Sequence, residues 1–309
     1  MNSKDAVYCV ILTKYRLLQG LALYRSLQRN AAASKVYFLC VDSETYEILA
    51  GMGLTDAVLV RLEEVENNEL LKVKAERKLN EYCWTLKPYF LEYLLCLNNV
   101  RRITYLDADL YFFNNPEKIF DDAPYCPVIL TKHDYPVTLD QMSATCGKYN
   151  SGFISIVKCQ SGIECIRWWK QRCFKWCSEV PENGRFGDQK YLDSMPFFFK
   201  KVCCSRTPGV NIAPWNHINY SFSERDGKIY VDDKPLIFYH FSGLRLLNGE
   251  TAALTMHFEK DIIPMVYGPY LHELQSLAAE VNAVNPGFQS FYIEDERKNG
   301  ATIIRINEI

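Results

Sequence analysis

"RRITYLDADLYFF", residues 101–113, carries an apolar run into two aspartates and then into aromatic residues. Burying ionised carboxylates without partners is costly, so Asp107 and Asp109 must either hold something or sit at an edge. In an open α/β sheet, ligands bind outside the carboxyl ends of the strands, and "RRITYLDAD" runs to such an end. Alternation along an extended segment puts both aspartates on one side, with Ala108 small enough to let a ligand approach the backbone. Two hard oxygen donors without a cage of further carboxylates suit a divalent ion that substrate phosphates also hold. The competing reading is a turn with capping aspartates before "FFNNPEKIF".

Upstream, strand and helix signals alternate. "AVYCVILT" is a continuous apolar strand, "QGLALYRSLQRN" places Leu21, Tyr24 and Leu27 at helical spacing, and "KVYFLCVD" is a second buried strand. "SETYEILAGMG" opens on a Ser43 cap and closes on glycine, and "AVLVRL" supplies a third strand. This βαβαβ order predicts an α/β fold with a parallel sheet. The "GMG" of residues 51–53 follows a helix and lacks a third glycine, so it reads as a helix stop and not as a dinucleotide fingerprint.

The 309 residues, 48% hydrophobic and 14% aromatic, can bury a large core. A net charge of -2 argues against nucleic acid as the main partner. The apolar stretch in "MNSKDAVYCVILTKY" is about six residues, too short for a signal h-region or a membrane span. The expectation is a cytoplasmic protein, with peripheral contact at the cytoplasmic face of a membrane left open. The 12 cysteines lie mostly in apolar runs such as "VYCVIL", "YFLCVD" and "YLLCL" and read as core thiols. No Cys-x-x-Cys pair marks a zinc site; Cys173 and Cys177 stand at i, i+4 on an expected helix where Ile163, Ile166, Trp169, Cys173 and Trp176 recur at core spacing, and the adjacent Cys203 and Cys204 read as small apolar strand residues.

Downstream and upstream of the aspartates stand further candidates. "RLEEVENNELLKVKAERKLNEYC", with glutamates early and lysines late, reads as a solvated helix. In "EYCWTLKPYFLEYLLCL", Pro88 fits the first turn of a helix capped by Thr85, which places Lys87 at a helix N-terminus, a position suited to an anion. Asn150, before "SGFISIV", reads as a turn residue whose amide could hold a sugar hydroxyl. Asp188 and Gln189 follow a glycine at a helix start, where Asp188 could be no more than an N-cap. "PLIFYHFSG" delivers His240 from a strand end, as a metal ligand or as a hydrogen-bonded structural residue.

Five segments in order, "TLKPYFLEYLL", "YLDADLYFF", "YNSGFISI", "GDQKYLD" and "FYHFSG", make residues 6–243 resemble the nucleotide-sugar glycosyltransferases of the GT-A fold, most closely glycosyltransferase family 8. The resemblance implies a Rossmann-like mixed, mainly parallel sheet flanked by helices. It implies a metal site of Asp107, Asp109 and His240 for Mn²⁺ or Mg²⁺, with the mixed ligand set favouring Mn²⁺ over Ca²⁺. Thr13, Lys14 and Tyr15 would lie in the loop holding base and ribose, Lys87 would contact the diphosphate, and Asn150 would join the sugar site. Asp188 and Gln189 would face the donor sugar: Gln189 stabilising an oxocarbenium-like state if configuration is retained, Asp188 acting as base if it is inverted. A UDP-sugar donor, a glycan or glycolipid acceptor and a bacterial-type surface polysaccharide pathway are implied by the resemblance alone. Three departures stand out: Lys87 replaces the family's arginine, "NSG" its Asn-Ala-Gly, and "LRLLNG" its Lys-Pro-Trp.

The expected organisation is a catalytic domain over 1–245 and an extension over 246–309. That extension holds a helix after Pro269, with Leu271, Leu274, Leu277 and Ala278 on its core face, and a hairpin turning at Asn299-Gly300. The sequence is thus expected to be a metal-dependent, retaining glycosyltransferase. A sugar-nucleotide pyrophosphorylase would show a Gly-rich loop after the first strand, which "LTKYRLLQG" is not. A non-catalytic glycan- or nucleotide-binding module would not require Asp107, Asp109 and His240 together.

Overall fold

The computed structural model describes residues 6–31, 34–97, 100–256, 262–293 and 300–309. Its first part is β1 (Ala6–Leu12), α1 (Leu17–Asn30), β2 (Lys35–Cys40), α2 (Ser43–Met52) and β3 (Ala57–Arg61). The strands pair in parallel, with Val7 opposite Lys35 and Val36 opposite Ala57. Along β1, Tyr8, Val10 and Leu12 enter one core while Val7, Cys9 and Ile11 enter another, so the sheet is covered on both faces, as parallel sheets are. Helix α2 is capped by Asp42 and not by Ser43: the Asp42 carboxylate accepts from the Thr45 amide at 2.8 Å. Gly53 ends it at φ 59°, a left-handed conformation that costs glycine nothing.

The charged segment divides between α3 (Asn68–Glu76), capped by Asn67, and the first turns of α4 (Leu79–Cys96). Pro88 therefore lies inside α4 and Lys87 is not at a helix N-terminus, contrary to the sequence reading. The helix starts earlier because the Glu81 carboxylate accepts from the Lys78 amide at 3.1 Å and because Tyr82, Leu86 and Phe90 are all buried in the same core. Thr85 is no cap; it donates to the Glu81 carbonyl at 2.8 Å, as a mid-helix threonine does.

The chain continues through β4 (Arg102–Leu106), β5 (Leu110–Phe112), α5 (Glu117–Asp121), β6 (Val128–Lys132), α6 (Gln141–Cys146), β7 (Tyr149–Val157), α7 (Gln160–Lys175), α8 (Met195–Phe198) and β8 (Val202–Cys204). The seven-stranded sheet has the order β3-β2-β1-β4-β7-β6-β8. Only β7 runs against its neighbours, β4 and β6, so the sheet is mixed and mainly parallel, as expected. Cys9, Cys40, Cys173 and Cys177 are buried thiols, but Cys96 is exposed. Cys203 forms a disulfide with Cys126, which the sequence reading missed because the parallel pairing of β8 with β6 is what brings the two together.

The last part contributes β9 (Phe222–Arg225), β10 (Lys228–Val231), β11 (Lys234–Pro235), β12 (Phe238–His240), β13 (Leu244–Leu246), β14 (Thr251–Leu254), α9 (Gly268–Val284) and β15 (Thr302–Arg305). Strands β12 and β5 form a separate antiparallel ribbon with His240 opposite Leu110. Helix α9 packs on α1 and α2, burying Leu271, Leu274 and Leu277, with Ala278 partly covered. Its Glu273 meets Arg25 at 3.2 Å and Arg29 at 2.8 Å. Strand β15 pairs with β14; Asn299, where a hairpin turn was expected, lies outside the described residues. No helix among the described residues is long and apolar enough to cross a membrane.

Candidate active site

Strand β4 stops at Leu106, and the Leu110 amide donates to the Asp107 carbonyl at 3.2 Å. A turn at residues 107–109, not strand alternation, thus presents both aspartates. The ribbon then fixes the third group: the Phe241 amide donates to the Asp109 carbonyl at 2.8 Å, and His240 Nε2 lies 3.1 Å from Asp109 Oδ1. Asp107, Asp109 and His240 each offer a ligand atom, all within 4.8 Å of one another. Gly152 of β7 makes room for them, since a Cβ there would stand 2.7 Å from His240 Cε1 and 3.0 Å from Asp107 Oδ2. Burial alone would raise the Asp109 carboxyl, but His240, helped by Arg16 and Arg245, holds it well below the usual carboxylate range.

Lys87 is 2% exposed and lies beneath this cluster. Its Nζ is 3.0 Å from Asp107 Oδ1 and 3.4 Å from Asp188 Oδ2, and it donates to Ser151 Oγ at 3.0 Å. Burial would lower the ammonium, yet Asp107 and Asp188 together hold it above the ordinary lysine range. Burial raises the Asp188 carboxyl, with Lys87 opposing and Asp107 reinforcing the shift. The Asp188 side chain makes no N-cap bond to the turn Gln189–Ser194 that it precedes. Tyr105 donates to Asp107 Oδ1 at 2.8 Å, which leaves Oδ2 for a ligand.

Asn150 lies within β7, not in a turn before it. A β-bulge between Leu130 and Thr131 shifts the register of β6 against β7, and His133, just beyond β6, comes to face Asn150. The Asn150 amide is oriented from both ends: Oδ1 accepts from the Gly152 amide at 2.8 Å, and Nδ2 donates to His133 Nε2 at 3.3 Å. His133 in turn donates Nδ1–H to the Gly147 carbonyl at 2.9 Å. Burial lowers this imidazole to about 3, outweighing the Gly147 bond, so the ring stays neutral.

These groups line a cleft of about 930 Å³, with Thr13, Tyr15, Arg16, Gln189 and Arg245 also on its walls. Thr13 is buried and Tyr15 is 44% exposed at the rim. Lys14 does not line the cleft; it pairs with Glu44 at 2.6 Å. Gln189 donates to the Cys146 carbonyl at 3.0 Å. Sequence reasoning missed Arg16, whose guanidinium has one nitrogen buried without a hydrogen-bond partner among the described residues. It also missed the aromatic walls: Trp84 beside Phe186 (6.4 Å), Trp215 edge-on to His240 (5.1 Å), and Tyr135 stacked on His133 (4.7 Å). Arg16 directly follows the Thr13–Tyr15 loop and was readable there; "APW" and "HDY" carried no such signal.

This sheet order, with two aspartates at the end of β4 and a histidine from a crossing ribbon, defines a GT-A glycosyltransferase fold. The galactosyltransferase LgtC, solved with donor and acceptor sugar analogues, superposes with a TM-score of 0.56 at 13% identity, covering 87% of this chain and 95% of that one. Mouse xyloside xylosyltransferase 1 in its apo form superposes with a TM-score of 0.51 at 14% identity, covering 77% and 98%. No protein-family model matches the chain. The uncharacterized protein YfnF of Bacillus subtilis (strain 168) is 38% identical over 301 residues, 95% of this chain and 99% of YfnF. YfnD of the same organism, also uncharacterized, is 32% identical over 293 residues, 93% and 94% of the two chains. The chain belongs to the family of YfnF and YfnD.

Proposed function

We propose that the protein transfers a sugar from a nucleoside diphosphate donor, a UDP-sugar, to a glycan or glycolipid acceptor with retention of configuration. The observation that carries this reading is the Asp107–Asp109–His240 cluster on the wall of the cleft. Its residues fit a divalent ion: one imidazole and two carboxylates converge, Asp109 is held ionised, and Gly152 keeps their common space clear. Such a ligand set suits Mn²⁺ or Mg²⁺. When bound, the ion supplies Lewis-acid neutralisation of the charge that develops on a departing diphosphate.

The chain's own residues supply the rest. Arg16 adds positive charge to the cleft lining, buried Thr13 offers a hydroxyl there for the ribose, and Tyr15 offers a ring at the rim for the base. Asn150, its amide oriented by Gly152 and His133, presents its remaining N–H and lone pair to a sugar hydroxyl. Asp188 is turned toward Lys87; a base for an inverting reaction must instead be free to take the acceptor proton. Gln189, half-buried in the cleft, then faces the anomeric carbon and stabilises its developing charge.

A melting screen of nucleotide sugars tests the reading. With Mn²⁺ and a UDP-sugar at a hundredfold excess over Kd, stabilisation should reach about 2.7 kcal/mol. It should vanish in excess chelator and in a normally folded Asp109→Asn variant. The anomeric proton coupling of the product should report an α linkage from an α-linked donor. Full activity in excess chelator, stabilisation by GDP-sugars alone, or a β product would each overturn the corresponding part.

A further inference from the structure

The segment "MPFFFKK", residues 195–201, lies outside the cleft, and nothing in the proposed chemistry uses it. Phe197 is 87% exposed and Phe198 65% exposed on the four-residue helix α8. Phe198 and Phe199 lie 5.6 and 5.8 Å from the ring of Trp168 on α7. The Arg172 guanidinium covers that same ring at 5.4 Å. Lys200 and Lys201 complete the turn into β8, both exposed, with Lys201 at φ 62°.

Aromatic rings standing in water are thus bordered by three cations, and no ion pair among the described residues uses Lys200, Lys201 or Arg172. The carboxylate of α7, that of the turn before α8, and the one on α4 that pairs with α7 are already engaged. Glu92 meets Arg167 at 2.9 Å and also pairs with Lys170, Asp193 meets Lys190 at 3.0 Å, and Glu164 accepts from Gln160 at 2.5 Å.

We infer that this aromatic-cationic patch docks the protein on a membrane surface rich in anionic phospholipid. Phe197 and Phe198 enter the headgroup–acyl boundary, where aromatic side chains partition, while Lys200, Lys201 and Arg172 meet the lipid phosphates. Charge complementarity selects this occupant: cations without acidic partners, beside rings without cover, match a surface that is anionic outside and apolar just beneath. A protein partner would need about 1,000 Å² of matched surface, and a four-residue helix with one turn offers a wedge instead. Helix α8 continues directly from the turn Gln189–Ser194, whose first residue lines the cleft.

Vesicle co-sedimentation of the whole chain tests this. Binding is expected to vesicles of phosphatidylcholine with about 30% phosphatidylglycerol and to be at least about tenfold weaker to phosphatidylcholine alone. A Lys200→Glu/Lys201→Glu variant should lose binding by about tenfold or more, since each cation near an anionic surface contributes several-fold. A Phe197→Ser/Phe198→Ser variant should lose it too, while both variants keep wild-type melting temperatures. Absence of wild-type binding to the anionic vesicles overturns the inference, as do variants that bind like wild type. So does light scattering that shows a dimer which Phe197→Ser/Phe198→Ser dissociates, because the patch would then join two copies of the chain.

Discussion

Without the Lys87 ammonium, the buried carboxylate of Asp188 and the partly buried one of Asp107 would stand with no cation between them. At the residue scale this makes Lys87 a positioning group for Asp107, a member of the proposed metal cluster. Removing one partner of a buried ion pair leaves charge uncompensated, so Lys87→Ala should lower unfolding free energy by about 3–5 kcal/mol in urea titrations. A loss below about 1 kcal/mol together with abolished donor binding would instead make Lys87 a direct diphosphate contact, as the sequence alone suggested. The placement of Lys87 at a helix start erred for a local reason. Proline is favoured at a helix start, and only the tertiary burial of Tyr82 and Leu86 carries α4 through Pro88. The aspartates and His240 were legible because strand ends announce themselves in apolar runs. His133 was not, because its contact with Asn150 depends on a bulge between β6 and β7 that no residue pattern marks.

At the scale of elements, the βαβαβ unit was legible through uninterrupted apolar strands, and the ribbon of β5 and β12 was not. Its strands are three residues each, too short for any period to register, although they bring Asp109 and His240 together. The Cys126–Cys203 disulfide is another product of pairing, joining the segment before β6 to the edge strand β8. It should be detectable directly. Thiol titration of the unreduced, denatured protein should count 10 of the 12 cysteines, and 12 would show the bond absent. Closing a loop of 77 residues restricts the unfolded chain, so Cys203→Ser should cost about 2–4 kcal/mol.

For the whole molecule, neutral burial of His133 has a consequence for acid stability. The ring takes up a proton at an ordinary value of 6.5 when unfolded but only at about 3 when folded. Its contribution is therefore full above 6.5 and declines as pH falls toward 3, by up to about 1.4 kcal/mol per pH unit. Urea unfolding of His133→Gln should show a shallower decline over that window than wild type; equal slopes would mean the ring titrates alike in both states. The β5–β12 ribbon, finally, bears on how the protein is made. Its halves come from distant parts of the chain, and non-local contacts of this kind form late. During synthesis the two aspartates emerge long before the histidine strand, so a nascent chain can complete its βαβαβ unit while still lacking His240, the third member of the cluster. Under the proposed metal role, ion capture waits for a chain finished past His240.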